Sequence, residues 1–308
     1  KKRWCQTVMA LRKEYPKVSI EKLCSLFDKR RQSFYDKRKV VISERQREHL
    51  LIAAVESYRH YCPGIGGVKL HWILKQEFGE EITRGRDSFL RLLASKGLML
   101  ERPKRRHTTD SNHVYKKYPN LIQNTKIQQV NHVWVADITY IWIVGDVLYL
   151  HLITDAYSHA VIGWYLSETL EAENTLKALL MAIKTAGGEN LCGTIHHSDR
   201  GVQYACHSYI DTLMKHHIRI SMTECYNPTD NAIAERQNGI FKVEWIYRSE
   251  MYKNFNHAHQ EIAKMIDFYN FKRPHMSIGL KTPIAVYRGE EPGNNLWKNK
   301  QNHCTSTE

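Results

Sequence analysis

Residues 131–144 read N-H-V-W-V-A-D-I-T-Y-I-W-I-V. Apolar side chains fill both alternating positions of this run, and β-branched and aromatic residues dominate it, which is typical of a strand buried on both faces. Asp137 is the one acid in the run. A lone carboxylate in such a strand is costly unless it is hydrogen-bonded or binds a metal ion. The stretch therefore predicts a central strand that carries either a metal ligand or a hydrogen-bonded core acid.

The residues on the carboxyl side predict an α/β domain built around this strand. A Gly-Asp turn at 145–146 begins a three-stranded meander, and a helix, a strand ending at Asp199, a helix, a fifth strand and a helix over Asn231–Ile246 follow. The order β-β-β-α-β-α-β-α predicts one domain over residues 121–290, and the polar residues 291–308 predict a flexible tail.

Three acids stand where a hard divalent cation could reach them: in a strand, at the end of a strand and on the first turn of a helix. Asp199 lies in H-H-S-D-R-G and Glu235 in N-P-T-D-N-A-I-A-E. Mg²⁺ takes oxygen ligands and usually joins one or two carboxylates to substrate phosphates. Each acid also has an ordinary explanation: a hydrogen-bonded core Asp137, a turn at Asp199, and a Glu235 favoured by the helix dipole.

The helix that carries Glu235 provides a further indication of function. At about 100° per residue, Glu235 and Lys242 project within about 20° of each other, and Gly239 lies about 40° away. Seven residues is too far for a direct Glu–Lys ion pair. Because glycine permits close approach and lysine donates to phosphate, this face predicts contact with a DNA backbone.

The amino-terminal part predicts two helix-turn-helix modules. In residues 1–40, Ser19 is the expected cap of an apolar helix, and the basic run R-R-Q-S-F-Y-D-K-R-K at 30–39 is the expected second helix, which in such motifs enters the major groove. In residues 41–100, helices are expected over Gln46–Tyr61 and Val68–Phe78, separated by P-G-I-G-G, before a third helix that is capped by Thr83.

Charge is concentrated in the same part of the chain. Residues 1–120 contain 28 Lys and Arg against 13 Asp and Glu, a balance of +15, and the whole chain carries +13. This asymmetry favours DNA binding over a merely solvated surface, and residues 101–120 are expected to be a basic linker along the backbone. The candidate DNA contacts besides Lys242 are Arg30, Arg31, Lys37, Arg84, Arg86, Arg91, Lys104, Arg105 and Arg106.

Other classes of protein are disfavoured. The seven cysteines include no C-x-x-C pair, which argues against a disulfide framework or a zinc ribbon. No apolar run approaches the ~18–20 residues of a membrane span, and the first residues are not followed by a signal-like segment. A cytoplasmic, DNA-associated protein without a membrane partner is expected.

Together these phrases resemble bacterial insertion-sequence transposases of the retroviral-integrase-like DDE type, specifically the OrfB-type product. The resemblance runs over nearly the whole chain and rests on segments in the family's order and spacing. It implies a ribonuclease-H-like core with a mixed five-stranded sheet behind helix-turn-helix modules. The segments that carry it include N-H-V-W-V-A-D-I-T-Y-I, D-A-Y-S-H-A-V-I-G-W, H-S-D-R-G-V-Q-Y, N-P-T-D-N-A-I-A-E and Y-N-F-K-R-P-H-M-S-I-G-L-K-T-P.

The resemblance implies the site and its chemistry. The catalytic acids of the family map onto Asp137, Asp199 and Glu235, which would hold two Mg²⁺ ions, with Mn²⁺ able to substitute, and its helix lysine maps onto Lys242. His197 and Asn231 are expected to orient their neighbours. The implied partners are double-stranded DNA at the element ends and target, further copies of the chain on DNA, and an upstream OrfA product. Many members of the family carry small or aromatic residues after the glutamate, whereas this chain has Arg236–Gly239. The difference concerns the contacts with DNA and not the chemistry.

Two other functions remain open at the level of sequence. One is a nuclease or resolvase on the same fold that never joins strands. The other is a non-catalytic DNA-binding repressor, which the intact set of three acids disfavours.

Overall fold

A computed structural model describes residues 4–101, 118–123, 125–188, 191–223 and 232–296. Lys104, Arg105, Arg106, Asn231 and most of the expected linker and tail lie outside these ranges. Contacts divide the chain into two compact units. The front unit comprises residues 1–57 and 74–98, and the core unit comprises residues 58–73 and 99–308.

Helices make up the amino-terminal part: α1 (Trp4–Glu14), α2 (Ile20–Ser25), α3 (Arg31–Tyr61), α4 (Gly67–Thr83) and α5 (Arg86–Ser95). Ser19 caps α2 as expected, because its hydroxyl accepts the Lys22 amide at 3.2 Å. The first three helices share a small core, whose buried members are Cys5, Val8, Leu23, Cys24 and Phe34.

Two expectations for this region are wrong. The helix expected from Gln46 begins at Arg31 and runs without interruption through residue 40, because neither Pro nor Gly occurs between Arg31 and Tyr61. Thr83 is not a cap of α5. Its hydroxyl instead bonds back to the Gly79 carbonyl at 2.9 Å, and Gly85 occupies the cap position without a side-chain hydrogen bond.

The core unit contains one five-stranded sheet with the order β3-β2-β1-β4-β5. β1 is central, antiparallel to β2 and parallel to β4, which confirms the predicted central strand and the mixed sheet. The elements follow the expected order along the chain: β1 (Val133–Ile143), β2 (Asp146–Asp155), β3 (Val161–Ser167), α6 (Ala172–Thr185), β4 (Ile195–Ser198), α7 (Val202–Ala205), α8 (His207–Lys215), β5 (Arg219–Met222) and α9 (Ala232–Phe241).

The helix expected over Asn231–Ile246 changes character before its end. After α9 the chain forms a π-helical turn over Lys242–Ile246, and α10 (Phe255–Phe271), a 3₁₀ turn (Met276–Ile278) and α11 (Pro283–Tyr287) complete the unit. Within the described ranges, none of the helices combines the length and the apolar character needed to cross a bilayer.

The sheet is covered on both faces. On one face, Trp134 and Ala136 of β1 pack with Leu179 of α6 and Leu213 of α8 in the larger apolar cluster. On the other face, α9 lies against β1. Burial on both sides explains why β1 is apolar at nearly every position.

Gly163 of β3 lets α6 approach the sheet closely. A Cβ atom at this position would lie 2.2 Å from the Ala178 carbonyl oxygen, whereas a Cβ at Gly239 of α9 would meet no atom within 4 Å. Backbone atoms cannot move aside cheaply, so only the first glycine is required by packing.

We expect Gly163→Ala to lower the free energy of unfolding by roughly 1–3 kcal/mol or more, because the added methyl overpacks the contact between β3 and α6. Gly239→Ala is the matched control and should raise it by about 0.5–1 kcal/mol through helix propensity. Urea unfolding of both variants measures the difference. Equal stability of the two would contradict this account of β3 packing.

Candidate active site

The pairing of β1 with β4 brings two of the three predicted acids together. The strands are parallel, and Val135 stands opposite His197. Side chains alternate along a strand, so the next position on the same face is Asp137 on β1 and Asp199 just beyond the end of β4. The two carboxylates therefore lie side by side on one face of the sheet.

That face is the one covered by α9. Ala234, next to Glu235, is buried in a small cluster with β1 and β4, and its other buried members are Val133, Val135, Ala156 and Ile195. Glu235 lies on the first turn of α9, as the sequence predicts. The helix with the third acid thus packs over the strands that carry the other two.

The electrostatics of Asp137 indicate a crowded anionic site. Burial and the charge of Asp199 raise its pKa to about 7, although three groups oppose the shift. The Ile138 amide donates to Oδ1 at 2.8 Å, the Asn238 amide donates to Oδ2, and Lys242 acts through its charge. A buried carboxyl that resists ionisation in this way beside a second acid is one whose charged form a divalent cation would stabilise.

Asp199 also makes the hydrogen bond expected of an ordinary turn residue, which is the alternative explanation for an acid at this position. Its Oδ1 accepts the Gly201 amide at 2.9 Å. The hydrogen bond fixes the carboxylate at the end of β4, next to Asp137. A turn acid and a site acid are therefore compatible roles for the same side chain.

Glu235 is exposed on the first turn of α9. Among the described residues, no group of three or more His, Cys, Asp or Glu side chains is close enough to hold a metal ion. Asn238, three residues further along α9, contacts Asp137, and residues three apart on a helix are neighbours. The place of Glu235 in the site stays a prediction.

Asn238 is a site residue that the sequence interpretation missed. It is 5% exposed and donates to Asp137, whereas the run Arg236–Gly239 that contains it points only to DNA contacts in the sequence analysis. Its position gives a signal in retrospect, because it lies three residues after Glu235 and shares the sheet-facing side of α9 with Ala234 and Phe241.

Lys242 is half-buried at the start of the π-helical turn, and its charge helps to lower the pKa of Asp137. α9 is regular up to Phe241 and Lys242 follows it directly, so the common face of Glu235 and Lys242 stays a prediction. The lysine therefore lies close enough to the acidic pair to influence it, while its contact with DNA stays a prediction.

His197 is buried in β4, two residues before Asp199, and its Nδ1 lies 2.8 Å from the Ser221 hydroxyl of β5. This contact ties β4 to β5. A role in orienting the site stays a prediction, as it does for Asn231, which lies outside the described residues.

The candidate DNA contacts of the front unit are exposed: Arg30, Arg31, Lys37, Arg84, Arg86 and Arg91. Arg84 forms an ion pair with Glu44, and Arg86 forms one with Asp87 at 3.0 Å. Surface ion pairs of this kind are weak, so phosphate could replace the carboxylate partners. Binding of DNA by these residues stays a prediction.

Comparisons with known proteins assign the same region to one family. Two models described as "Integrase core domain" match residues 127–228 and 216–283. The 31 kDa protein of insertion element IS600 from Shigella sonnei is 35% identical over 218 residues, which cover 69% of this chain and 78% of the relative. The transposase for insertion sequence element IS629 from Shigella sonnei is 30% identical over 223 residues, covering 71% and 73%.

A solved structure is also similar. The catalytic core domain of HTLV-2 integrase in complex with magnesium matches with a TM-score of 0.38 and 20% identity, covering 52% of this chain and 97% of that one.

The raised pKa of Asp137 predicts a pH-dependent stability of the metal-free protein. The folded chain holds this proton up to pH about 7, whereas the unfolded chain releases it near the ordinary value of 3.8, so the contribution to stability is lost as pH rises from about 4 to about 7. With chelator present, Asp137→Asn should therefore be more stable than the parent at pH 8 and similar at pH 4.

Thermal unfolding of both proteins across this range is the measurement, with Asp146→Asn, an exposed turn acid, as the matched control. Identical pH profiles for the parent and Asp137→Asn would show that the carboxyl is not perturbed by its surroundings.

Proposed function

We propose that this chain, which belongs to the insertion-sequence transposases with an integrase core domain, binds the ends of its element, cuts the DNA and joins the freed 3′-hydroxyl to another phosphodiester. Its relatives make it a DDE polynucleotidyl transferase. The observation that carries the proposal is the pairing of Asp137 with Asp199 beneath the helix of Glu235.

Asp137, Asp199 and Glu235 would hold two Mg²⁺ ions, with Mn²⁺ able to substitute. Oxygen donors suit these hard cations, and the raised pKa of Asp137 supports a site that needs positive charge. The ions would polarise the scissile phosphate and favour deprotonation of the attacking oxygen. Asn238 would hold Asp137 in one orientation, since its amide already donates to that carboxylate.

The chemistry needs no side-chain nucleophile. In the first step water attacks the phosphodiester in line, leaving a 3′-hydroxyl on one fragment and a 5′-phosphate on the other. In the second step that 3′-hydroxyl attacks a target phosphodiester, forming one bond and releasing one target 3′-hydroxyl. Both steps depend on positioning and charge stabilisation, which carboxylate-bound metal and Lys242 would supply.

Binding to DNA is proposed for the basic front of the chain. Arg30, which precedes α3, Arg31 and Lys37 at the start of α3, and Arg86 and Arg91 of α5 are exposed cations that could reach a groove or backbone. The residues 1–40 and 41–100 would act as the DNA-reading modules, and the protein would work as an oligomer on DNA, with an upstream OrfA product as a further partner. Such a protein would be cytoplasmic and DNA-associated.

We expect Asp137→Asn, Asp199→Asn and Glu235→Gln each to lower cleavage and joining by roughly 10³-fold or more, because several kcal/mol of charge stabilisation is lost. DNA binding should persist. Cleavage and strand-transfer assays on element-end DNA measure this, with Asp146→Asn as the active control. Near-normal activity of any one variant would remove that acid from the site, and cleavage without joining in the parent would support a plain nuclease.

Lys242→Ala should weaken binding to element-end DNA and strand transfer while leaving the fold intact. A lost phosphate contact lowers the slope of log affinity against log salt by about one. Lys264→Ala, which removes an exposed lysine on α10 paired with Glu261, is the matched control and should leave the slope unchanged. A normal slope together with normal joining in Lys242→Ala would exclude the DNA contact.

A further inference from the structure

A buried charge cluster lies directly after the site helix. Glu244 accepts two hydrogen bonds from Arg273, one from Nε to Oε2 and one from Nη2 to Oε1, each at 2.8 Å. Lys69 Nζ donates to Oε1 at 2.6 Å, and the Cys62 thiol donates to Oε2 at 3.7 Å. Only 11% of the Glu244 side chain is exposed. These four residues are called the Glu244 cluster.

The cluster is built on the π-helical turn. Glu244 is the third residue of that turn, and Lys242 is its first. The amide of Tyr247 donates to the Lys242 carbonyl at 2.9 Å, so the widened turn closes on Lys242 itself. π-helical turns are rare in proteins and frequently occur at functional sites. Whatever holds this turn therefore also sets the backbone of Lys242.

Residues 58–73, the segment that contains Lys69 and Cys62, also contact the π-helical turn through backbone atoms. The Gly64 amide donates to the Glu244 carbonyl at 2.7 Å, and the Trp245 indole donates to the Tyr61 carbonyl at 2.8 Å. A Cβ atom on Gly64 would lie 2.4 Å from the Glu244 Cα. The segment is therefore packed against the turn as part of the core unit.

The two cations of the cluster do not stabilise the Glu244 carboxylate equally. Burial alone would raise the pKa of Glu244, but Arg273 and Lys69 outweigh it and lower the pKa to about 2. For Lys69, burial and Arg273 lower the pKa despite Glu244. Removing Arg273 would leave a buried carboxylate without its bidentate partner, whereas removing Lys69 leaves the Arg273–Glu244 pair in place. Lys69 is therefore the position at which the cluster can be weakened without being destroyed.

We propose that Lys69 and Arg273 are positioning residues for the transfer reaction: by holding Glu244 they fix the π-helical turn, and with it the position of Lys242 beside Asp137. This inference rests on the proposed phosphate contact of Lys242. Neither residue touches DNA or the reacting atoms in this role. The helix α4, which carries Lys69, thereby contributes to the reaction although no part of it carries a catalytic acid.

A purely structural role makes a different prediction. If the cluster only anchors residues 58–73, weakening it lowers stability and affects activity equally whether or not Lys242 is present. If the cluster positions Lys242, its effect on joining disappears once Lys242 has been removed. A double-mutant cycle separates these cases, because only residues that act through one another are non-additive.

The experiment uses the full chain with Lys69→Met, Lys242→Ala and the double variant. We expect Lys69→Met to lower the rate of strand transfer by on the order of 10-fold or more when equal amounts of folded protein are compared. Small misplacements of a group near the reacting atoms slow a reaction by such factors. In the Lys242→Ala background the same change should cost less than about 2-fold. Lys69→Arg, which keeps the charge, should restore part of the activity.

Lys75→Met is the matched control, because Lys75 lies on the same helix and its ion pair with Glu80 is exposed. It should leave strand transfer unchanged. Equal fold-losses from Lys69→Met with and without Lys242, or full activity of Lys69→Met, would overturn the proposal. If Lys69→Met does not fold, the same cycle is carried out with Lys69→Gln, which removes the charge but keeps a hydrogen-bond donor, and is interpreted in the same way.

A second readout does not depend on the reaction. In Lys69→Met, hydrogen exchange of the Tyr247 amide, which closes the turn on Lys242, should become at least about 10-fold faster relative to amides of β1. If the parent transfers no strands, the proposed function fails while this measurement still decides whether Lys69 holds the turn. Unchanged exchange at Tyr247 would overturn the positioning role.

Discussion

The parallel pairing of β1 with β4 is the constraint on which the rest of the core depends. It fixes Asp137 and Asp199 at neighbouring positions on one face, where the charge of Asp199 adds to burial in raising the pKa of Asp137. The sheet can tolerate this because its stability comes from elsewhere. The opposite face is packed by α6 and α8 into the larger apolar cluster, so the acidic pair lies at the margin of a well-packed core.

The helix α9 has to meet two requirements at once. Ala234, Gln237, Asn238 and Phe241 are buried, whereas Glu235, on the same first turn, stays exposed. A helix packed along one side provides both surfaces, since 3.6 residues per turn separate the packing side from the neighbouring one. Asn238 lies on the buried side of α9 and donates a hydrogen bond to Asp137. The orientation of the Asp137 carboxylate therefore depends on how α9 packs against the sheet.

The segment 58–73 packs against a part of the chain that its own sequence does not indicate. P-G-I-G-G predicts a break between two helices, and α3 does end at Tyr61. Yet this segment packs with the catalytic part, where Gly64 meets the backbone of Glu244. A glycine that ends a helix and a glycine that allows a close contact look alike in a sequence. The sequence therefore predicts the helix break correctly but does not predict that Gly64 packs against Glu244.

The sequence by itself determined the order of strands and helices, the central position of β1 and the three candidate acids, because periodicity and the cost of a buried charge are local properties. It could not determine the length of α3, the π-helical turn or the partners of Asp137, Glu244 and Arg273. Glu244 and Lys69 are 175 residues apart, and no local pattern links them. Only the tertiary structure decides which buried charges pair. Each buried charge needs a partner of opposite charge, and that partner lies on a helix or segment far away in the sequence.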